Sequence, residues 1–261
     1  MRTFQLLGRG ISYSLSPAIH SAALAHLGLP HRYVITEATE ETLPEIIGKL
    51  RGSHGGANVT VPFKGQAAAL CHDLSADARE MGVVNTIVDD GDYLIGHNTD
   101  LPAVAAEIRK LRPEGVQHAV VLGNGGAAQA VQRALRGRAF QVSVAQRRDG
   151  TLQRVHALLP TADLLINTTP IGTGTTELPI DPSYLHSGLA VLDLVYRPTP
   201  TALVRAAAHT GAPAASGGGM LVGQAWRSLA LWLAPDGVAV TEEIAPVMEA
   251  ALLEQLRDGH A

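Results

Sequence analysis

Residues 119–135 read A-V-V-L-G-N-G-G-A-A-Q-A-V-Q-R-A-L. Ala119 to Leu122 have the unbroken apolar pattern of a strand buried on both faces. Gly123-Asn124-Gly125-Gly126-Ala127-Ala128 then forms a turn, and the following run reads as a helix. This is the G-x-G-x-x-A form of the dinucleotide fingerprint. Its first glycine permits the tight turn, and its second lets backbone approach a pyrophosphate. The small third residue allows close helix packing, and the helix N-terminus offers N–H donors to the anion. A plain strand-to-helix turn would share the local pattern, but the flanks favour the dinucleotide. Gly123, Asn124, Gly125, Gly126 and Ala127 are therefore candidate cofactor contacts.

The next strand, Gln141 to Ala145, should end near the adenosine ribose. An NAD site usually carries an acid there for the 2′-hydroxyl. Here the chain reads Gln146-Arg147-Arg148, with Asp149 one residue on. Arg recognises phosphate through planar paired donors, so this end points to NADP over NAD. A solvated arginine pair is the alternative.

Working outward, Asp163–Asn167 and Leu189–Leu194 read as further strands of the same series. Strands alternating with helices imply parallel pairing and right-handed crossovers. Towards the N-terminus, strands are expected at Phe4–Leu7, His31–Thr36 and Ala57–Val61. Val83–Val88 and Tyr93–Gly96 should form a hairpin around Asp89-Asp90-Gly91-Asp92. Helices are expected from Ser16-Pro17 to Leu27, at Thr39–Leu50, Gly65–Leu70 and Leu101–Leu111, and at Met220–Leu233 and Thr241–Leu256. In the first of these, Ser16 can cap and Pro17 suits the first helical position.

The 261 residues are 46% hydrophobic and 17% charged, with 27 glycines, which fits an α/β protein of one large or two small domains. A net charge of −4 argues against a general polyanion binder, so no nucleic acid partner is expected. The lone Cys71 permits no intramolecular disulfide and suggests a reducing, cytoplasmic compartment. The N-terminal MRTFQLLGRG lacks a signal-peptide pattern, and no stretch approaches the roughly 20 apolar residues of a membrane helix. The histidines show no metal spacing, and surface or capping roles are expected of them. Trp226 and Trp232 read as packing groups.

Four polar clusters remain in the first half. They are Ser14-Leu15-Ser16-Pro17, Asn58-Val59-Thr60 ahead of Lys64, Val84-Asn85-Thr86, and Asn98-Thr99-Asp100. Each alone has a plain explanation: Ser16 as a cap, Asn98 in a turn, Asp100 as the cap of the next helix, Lys64 as a surface residue.

Together they resemble the shikimate dehydrogenase family, whose S-x-S-P, N-V-T-x-P-x-K, V-N-T and N-T-D motifs appear here in order. The glycine turn follows. Then come Asn167-Thr168-Thr169-Pro170-Ile171-Gly172, Asp193-Leu194-Val195-Tyr196-Arg197-Pro198 with Thr201, and Met220-Leu221-Val222-Gly223-Gln224. The resemblance spans essentially the whole chain. It implies reversible reduction of 3-dehydroshikimate to shikimate by NADPH, within the biosynthesis of chorismate and the aromatic amino acids, with no metal. It also implies two α/β domains separated by a cleft: an N-terminal substrate domain (1–100 plus 217–261) and a Rossmann-like NADP-binding domain (101–216). Lys64 and Asp100 would be the catalytic pair. Ser14, Ser16, Asn58, Thr60, Asn85, Tyr196 and Gln224 would bind substrate. Gln146, Arg147, Arg148, Thr168, Gly172 and Gly217 would join the glycine turn at the cofactor. The state expected is a homodimer or a monomer.

The chain departs from the family at four places. Tyr13 stands where His often precedes the first serine, and Asn124 replaces an alanine. Gln146-Arg147-Arg148 replaces N-R-T, and Thr173 stands where methionine is common. An NAD-dependent quinate/shikimate dehydrogenase is the nearest rival reading. A non-catalytic ligand sensor on the same scaffold is the rival of another class.

Overall fold

A computed structural model describes residues 1–146 and 151–258. Its backbone contacts divide the chain into two units, Met1–Asp100 with the segment from Leu221 onward, and Leu101–Met220.

The first unit is built on strands β1 (Thr3–Gly8), β2 (Arg32–Glu37), β3 (Gly56–Val59), β4 (Asp73–Leu74), β5 (Thr86–Asp89) and β6 (Leu94–His97). They lie in the order β2-β1-β3-β5-β6-β4. β1 runs parallel to both neighbours, whereas β5 is antiparallel to β3 and β6. The reversal follows from the acidic turn, where Gly91 takes a positive φ of 85° and Asp90 N donates to Tyr93 O. Helices α1 (Ser16–His26), α2 (Leu43–Gly48), α3 (Lys64–Leu70) and α4 (Ala76–Met81) connect these strands.

Helix α2 starts four residues later than its pattern suggested. Thr39 N donates to Thr42 Oγ1 and Thr42 N to Thr39 Oγ1, so the two hydroxyls offer the backbone an alternative to helical bonds. Helix α4 was not anticipated, although it is capped at both ends, by the Ser75 hydroxyl and by Gly82 in the left-handed region.

The chain crosses to the second unit through α5 (Asp100–Leu111). There β7 (Val116–Leu122), α6 (Gly126–Leu135), β8 (Ala139–Ala145), β9 (Leu164–Asn167), β10 (Ala190–Asp193), α7 (Ala202–His209) and β11 (Ala214–Ser216) follow in turn. The sheet order is β11-β10-β9-β7-β8, and all its pairs are parallel. Val120, Leu122, Leu165 and Val191 bury one face of this sheet against Val155, Leu203 and Ala207. After β8 the order reverses across β7, so the connections leaving β7 and β9 diverge. Such a switch point is where open parallel sheets bind ligands.

Helix α8 (Gly218–Leu233) leads back to the first unit, and α9 (Ala245–Asp258) packs on α1. The expected start of α9 at Thr241 is replaced by a short 3-10 turn, Glu242–Ile244. Trp232, near the end of α8, stacks on Phe4 at 4.7 Å, and its indole N–H donates to Ile87 O at 2.9 Å. Both Trp232 and Phe4 are buried. Cutting either back to Ala should cost about 3–5 kcal/mol. Among the described residues no helix is long and apolar enough to cross a membrane.

Candidate active site

Sheet topology gathers three chain segments of the first unit. Because β5 is antiparallel to its neighbours, the C-terminal ends of β3 and β6 lie beside the N-terminal start of β5. Lys64 follows β3 after the turn closed by Phe63 N to Thr60 O. Asn85 immediately precedes β5, and Asp100 follows β6 as the first residue of α5. Lys64, one residue ahead of the helix expected at Gly65–Leu70, is the first residue of α3.

Lys64 Nζ donates to Asp100 Oδ2 at 2.5 Å, with the side chains only 16% and 8% exposed. The other carboxylate oxygen, Oδ1, accepts from Asn85 Nδ2 at 2.9 Å. Asn85 Nδ2 also donates to Thr99 Oγ1, and its Oδ1 accepts the Thr99 backbone N–H at 2.7 Å. A carboxylate beside an ammonium can only accept, so the orientation of the Asn85 amide is fixed from both ends. Asp100 is thus held on both oxygens, one of them by the lysine it positions.

A second layer lies beneath this pair. Asn58 Oδ1 accepts from Tyr33 OH at 2.8 Å, and its Nδ2 faces Asn85 O, Thr86 Oγ1 and Ser228 Oγ at 2.9–3.1 Å. Ser228 Oγ lies 2.8 Å from Thr86 Oγ1 and 3.2 Å from Thr99 Oγ1, and it donates to Gln224 O at 3.0 Å. Tyr33, Thr86, Thr99 and Ser228 were not singled out by the sequence as site residues. Ser228 had one weak signal, its position four residues beyond Gln224 on the same helix. Gln224 Nε2 bonds Leu221 O within α8.

The Gly8–Ser16 loop runs beside Thr60, whose backbone N–H donates to Leu7 O. Ser16 does not cap α1. It is the first residue of the helix, and Leu15 occupies the cap position without a side-chain bond. Ser14 Oγ instead accepts the Ser16 N–H at 3.3 Å and lies 3.2 Å from Ser16 Oγ, which brings the two hydroxyls together at the helix start.

His20 corrects a second expectation. It is fully buried, stacks on Tyr33 at 4.0 Å, and neither ring nitrogen finds a hydrogen-bond partner. Burial pushes its pKa down to about 3.

The second unit carries the glycine turn at its switch point. Gly123 has φ +105°, and a Cβ there would come within 2.5 Å of Thr168 Oγ1, so only glycine fits. Thr168 in turn bonds Leu122 O through both its N–H and its hydroxyl. Gly125 caps α6 without a side-chain bond, and open space lies above its Cα. The first N–H groups of α6 are therefore presented by backbone alone. Gln146 N donates to Thr151 Oγ1. Arg147 and Arg148 lie outside the described residues.

Asn167 organises the loop after β9. Its Oδ1 accepts the Thr169 N–H and hydroxyl, and its Nδ2 donates to Asp193 Oδ1 and Ile171 O. Asp193 also accepts from Thr201 Oγ1 at 2.7 Å. Burial raises the pKa of this carboxyl, while the bonds from Thr201, Asn167 and Val195 N oppose the rise. Gly172 lies in that loop with φ +96°. Gly217 N donates to Val195 O, next to the half-buried Tyr196. Among the described residues no group of three His, Cys, Asp or Glu side chains is placed to hold a metal ion.

Residues 6–87 match the family model described as the shikimate dehydrogenase substrate binding domain. The chain is 36% identical over 264 residues to shikimate dehydrogenase (NADP(+)) of Chlorobium chlorochromatii, covering 88% of this chain and 91% of that protein. Against the same enzyme of Rhodopseudomonas palustris the identity is 37%, covering 95% of both chains. Among solved structures, shikimate 5-dehydrogenase of Thermus thermophilus, in complex with NADP(H) and shikimate, superposes with a TM-score of 0.83 at 33% identity. That match covers 96% of this chain and 98% of the other.

Proposed function

Because the chain belongs to the shikimate dehydrogenase family, we propose that it catalyses the NADP-dependent interconversion of 3-dehydroshikimate and shikimate. The observation that carries this reading is the Lys64–Asp100–Asn85 arrangement, an ammonium fixed by a carboxylate that is itself fixed by an amide.

The second unit fits a dinucleotide. Its turn has a glycine where a Cβ would collide, a helix start with no side-chain cap, and open space above Gly125. Gly123 to Ala127 would hold the pyrophosphate. Thr168, Gly172 and Gly217 would border the cofactor from the neighbouring loops. Gln146, Arg147 and Arg148 would read the ribose end, where paired guanidinium donors favour the 2′-phosphate of NADP. When bound, the nicotinamide supplies or accepts the hydride.

The residues of the first unit do the rest. A carbonyl that receives hydride builds negative charge on oxygen. Lys64 directs one N–H at Asp100, and its other donors can stabilise that charge and deliver the proton. In the oxidative direction Lys64, as the neutral amine, takes the proton from the substrate hydroxyl and becomes the ammonium. Asp100 keeps the ammonium in place. Asn58, Thr60, Asn85 and Gln224 would bond the ring hydroxyls. Ser14 and Ser16, paired at the start of α1, suit the substrate carboxylate. The lone Cys71, with burial pushing its thiol up to about 11, accords with a cytoplasmic enzyme.

The experiment is to follow nicotinamide absorbance while offering shikimate or quinate with NADP⁺ or NAD⁺. Fast turnover only with shikimate and NADP⁺ is expected. Preference for quinate or NAD⁺ would move the chain to the rival subfamily, and binding without turnover would favour a sensor.

A further inference from the structure

We infer that Glu37 is a positioning residue for the substrate carboxylate, acting through the loop that presents Ser14 and Ser16. This rests on the reading of those serines given above. Glu37 ends β2, and its carboxylate grips two consecutive backbone amides. Oε2 accepts Gly10 N–H and Oε1 accepts Ile11 N–H, each at 2.7 Å. Among the described residues it has no ion-pair partner; the nearby Arg9 pairs with Glu40 instead. Both carboxylate oxygens are thus spent on the loop. Charge-assisted bonds of this length are the strong kind.

The two amides matter because of what hangs from them. Ile11 is buried and anchors the loop in the core, and its carbonyl accepts the Ser14 N–H at 2.9 Å. Ser14 Oγ then accepts the Ser16 N–H. Gly10 sits in the left-handed region at φ +65°, where the chain turns and regular secondary structure offers its N–H no partner. On the far side, Ala38 N donates to Gly8 O, so β2 holds the loop at its start and at its turn. A carboxylate can accept both N–H groups at once. An amide at the same place presents one oxygen and one NH₂, and so satisfies only one of them.

Glu37→Gln and Glu37→Ala test the assignment. Amide exchange at Gly10 and Ile11 reads the clamp with no substrate present, and should quicken in both variants. In turnover, the KM for shikimate should rise about tenfold in Glu37→Gln and further in Glu37→Ala. The KM for NADP⁺ should stay near wild type. Unchanged exchange, a shikimate KM within twofold of wild type in Glu37→Ala, or an equal rise in both KM values would overturn the assignment. Wild-type turnover of shikimate judges the functional reading separately, because the exchange measurement does not depend on it.

Discussion

His20 makes the stability of the first unit depend on pH in a calculable way. Its ring is buried between Tyr33 and Trp232 with both nitrogens unpartnered, and its pKa falls to about 3, against about 6.5 in an unfolded chain. Between those values the unfolded state binds a proton that the folded state refuses. The stability His20 allows is therefore fully present above about pH 6.5, and it is lost as pH falls towards 3. At pH 5 the loss is about 2 kcal/mol, from 1.5 pH units at about 1.36 kcal/mol each. His20→Phe keeps a ring against Tyr33 and removes the titration. Both tryptophans, Trp226 and Trp232, belong to the first unit, so their fluorescence reports on its unfolding. Urea melts at pH 8 and pH 5 should show wild type losing about 2 kcal/mol more than His20→Phe across that interval. His31 and His97, whose pKa values burial also lowers, remain in both proteins and cancel in the difference. Equal losses in the two proteins would mean that folded His20 accepts a proton freely, and the reasoning would fail.

Lys64→Ala should remove most turnover, by a factor of at least about 100, while leaving the Kd for NADP⁺ within about twofold. Near-normal turnover would take Lys64 out of the chemistry. Ser228→Ala removes an acceptor from Asn58 and a link between Thr86 and Thr99, so it should cost about 1–3 kcal/mol of stability. Its kcat should fall with little change in the KM for NADP⁺, and an unaltered kcat would confine Ser228 to packing.

The strand and glycine pattern of 119–135 made the second unit readable, because buried parallel strands are written as plain apolar runs. The hairpin in the first unit was readable for a similar reason, its acidic turn being a local signal. The site was readable only through its motifs. Lys64 and Asp100 stand 36 residues apart, and no periodicity joins them; the sheet order does. Ser228 and Tyr33 were missed because a serine on a long helix and a tyrosine in an edge strand look the same whether or not they face a buried asparagine. His20 was misjudged because sequence cannot tell a histidine at the surface from one stacked in a core. The start of α2 was misplaced by a bond between two threonines, a choice made at the scale of single hydroxyls.

The first unit is completed by chain made after the second unit. Lys64, Asn85 and Asp100 all lie before residue 101, yet Ser228 and Trp232 reach them or their supporting strands only from α8. The 120 residues of Leu101–Met220 intervene. At about 5–20 residues per second, a ribosome spends roughly 6–24 seconds on that stretch. For that interval Phe4 has no indole to stack on, and Asn58 lacks one of its acceptors. During synthesis the second unit can close around its own sheet first, whereas the half that holds Lys64 and Asp100 stays open until α8 has been made.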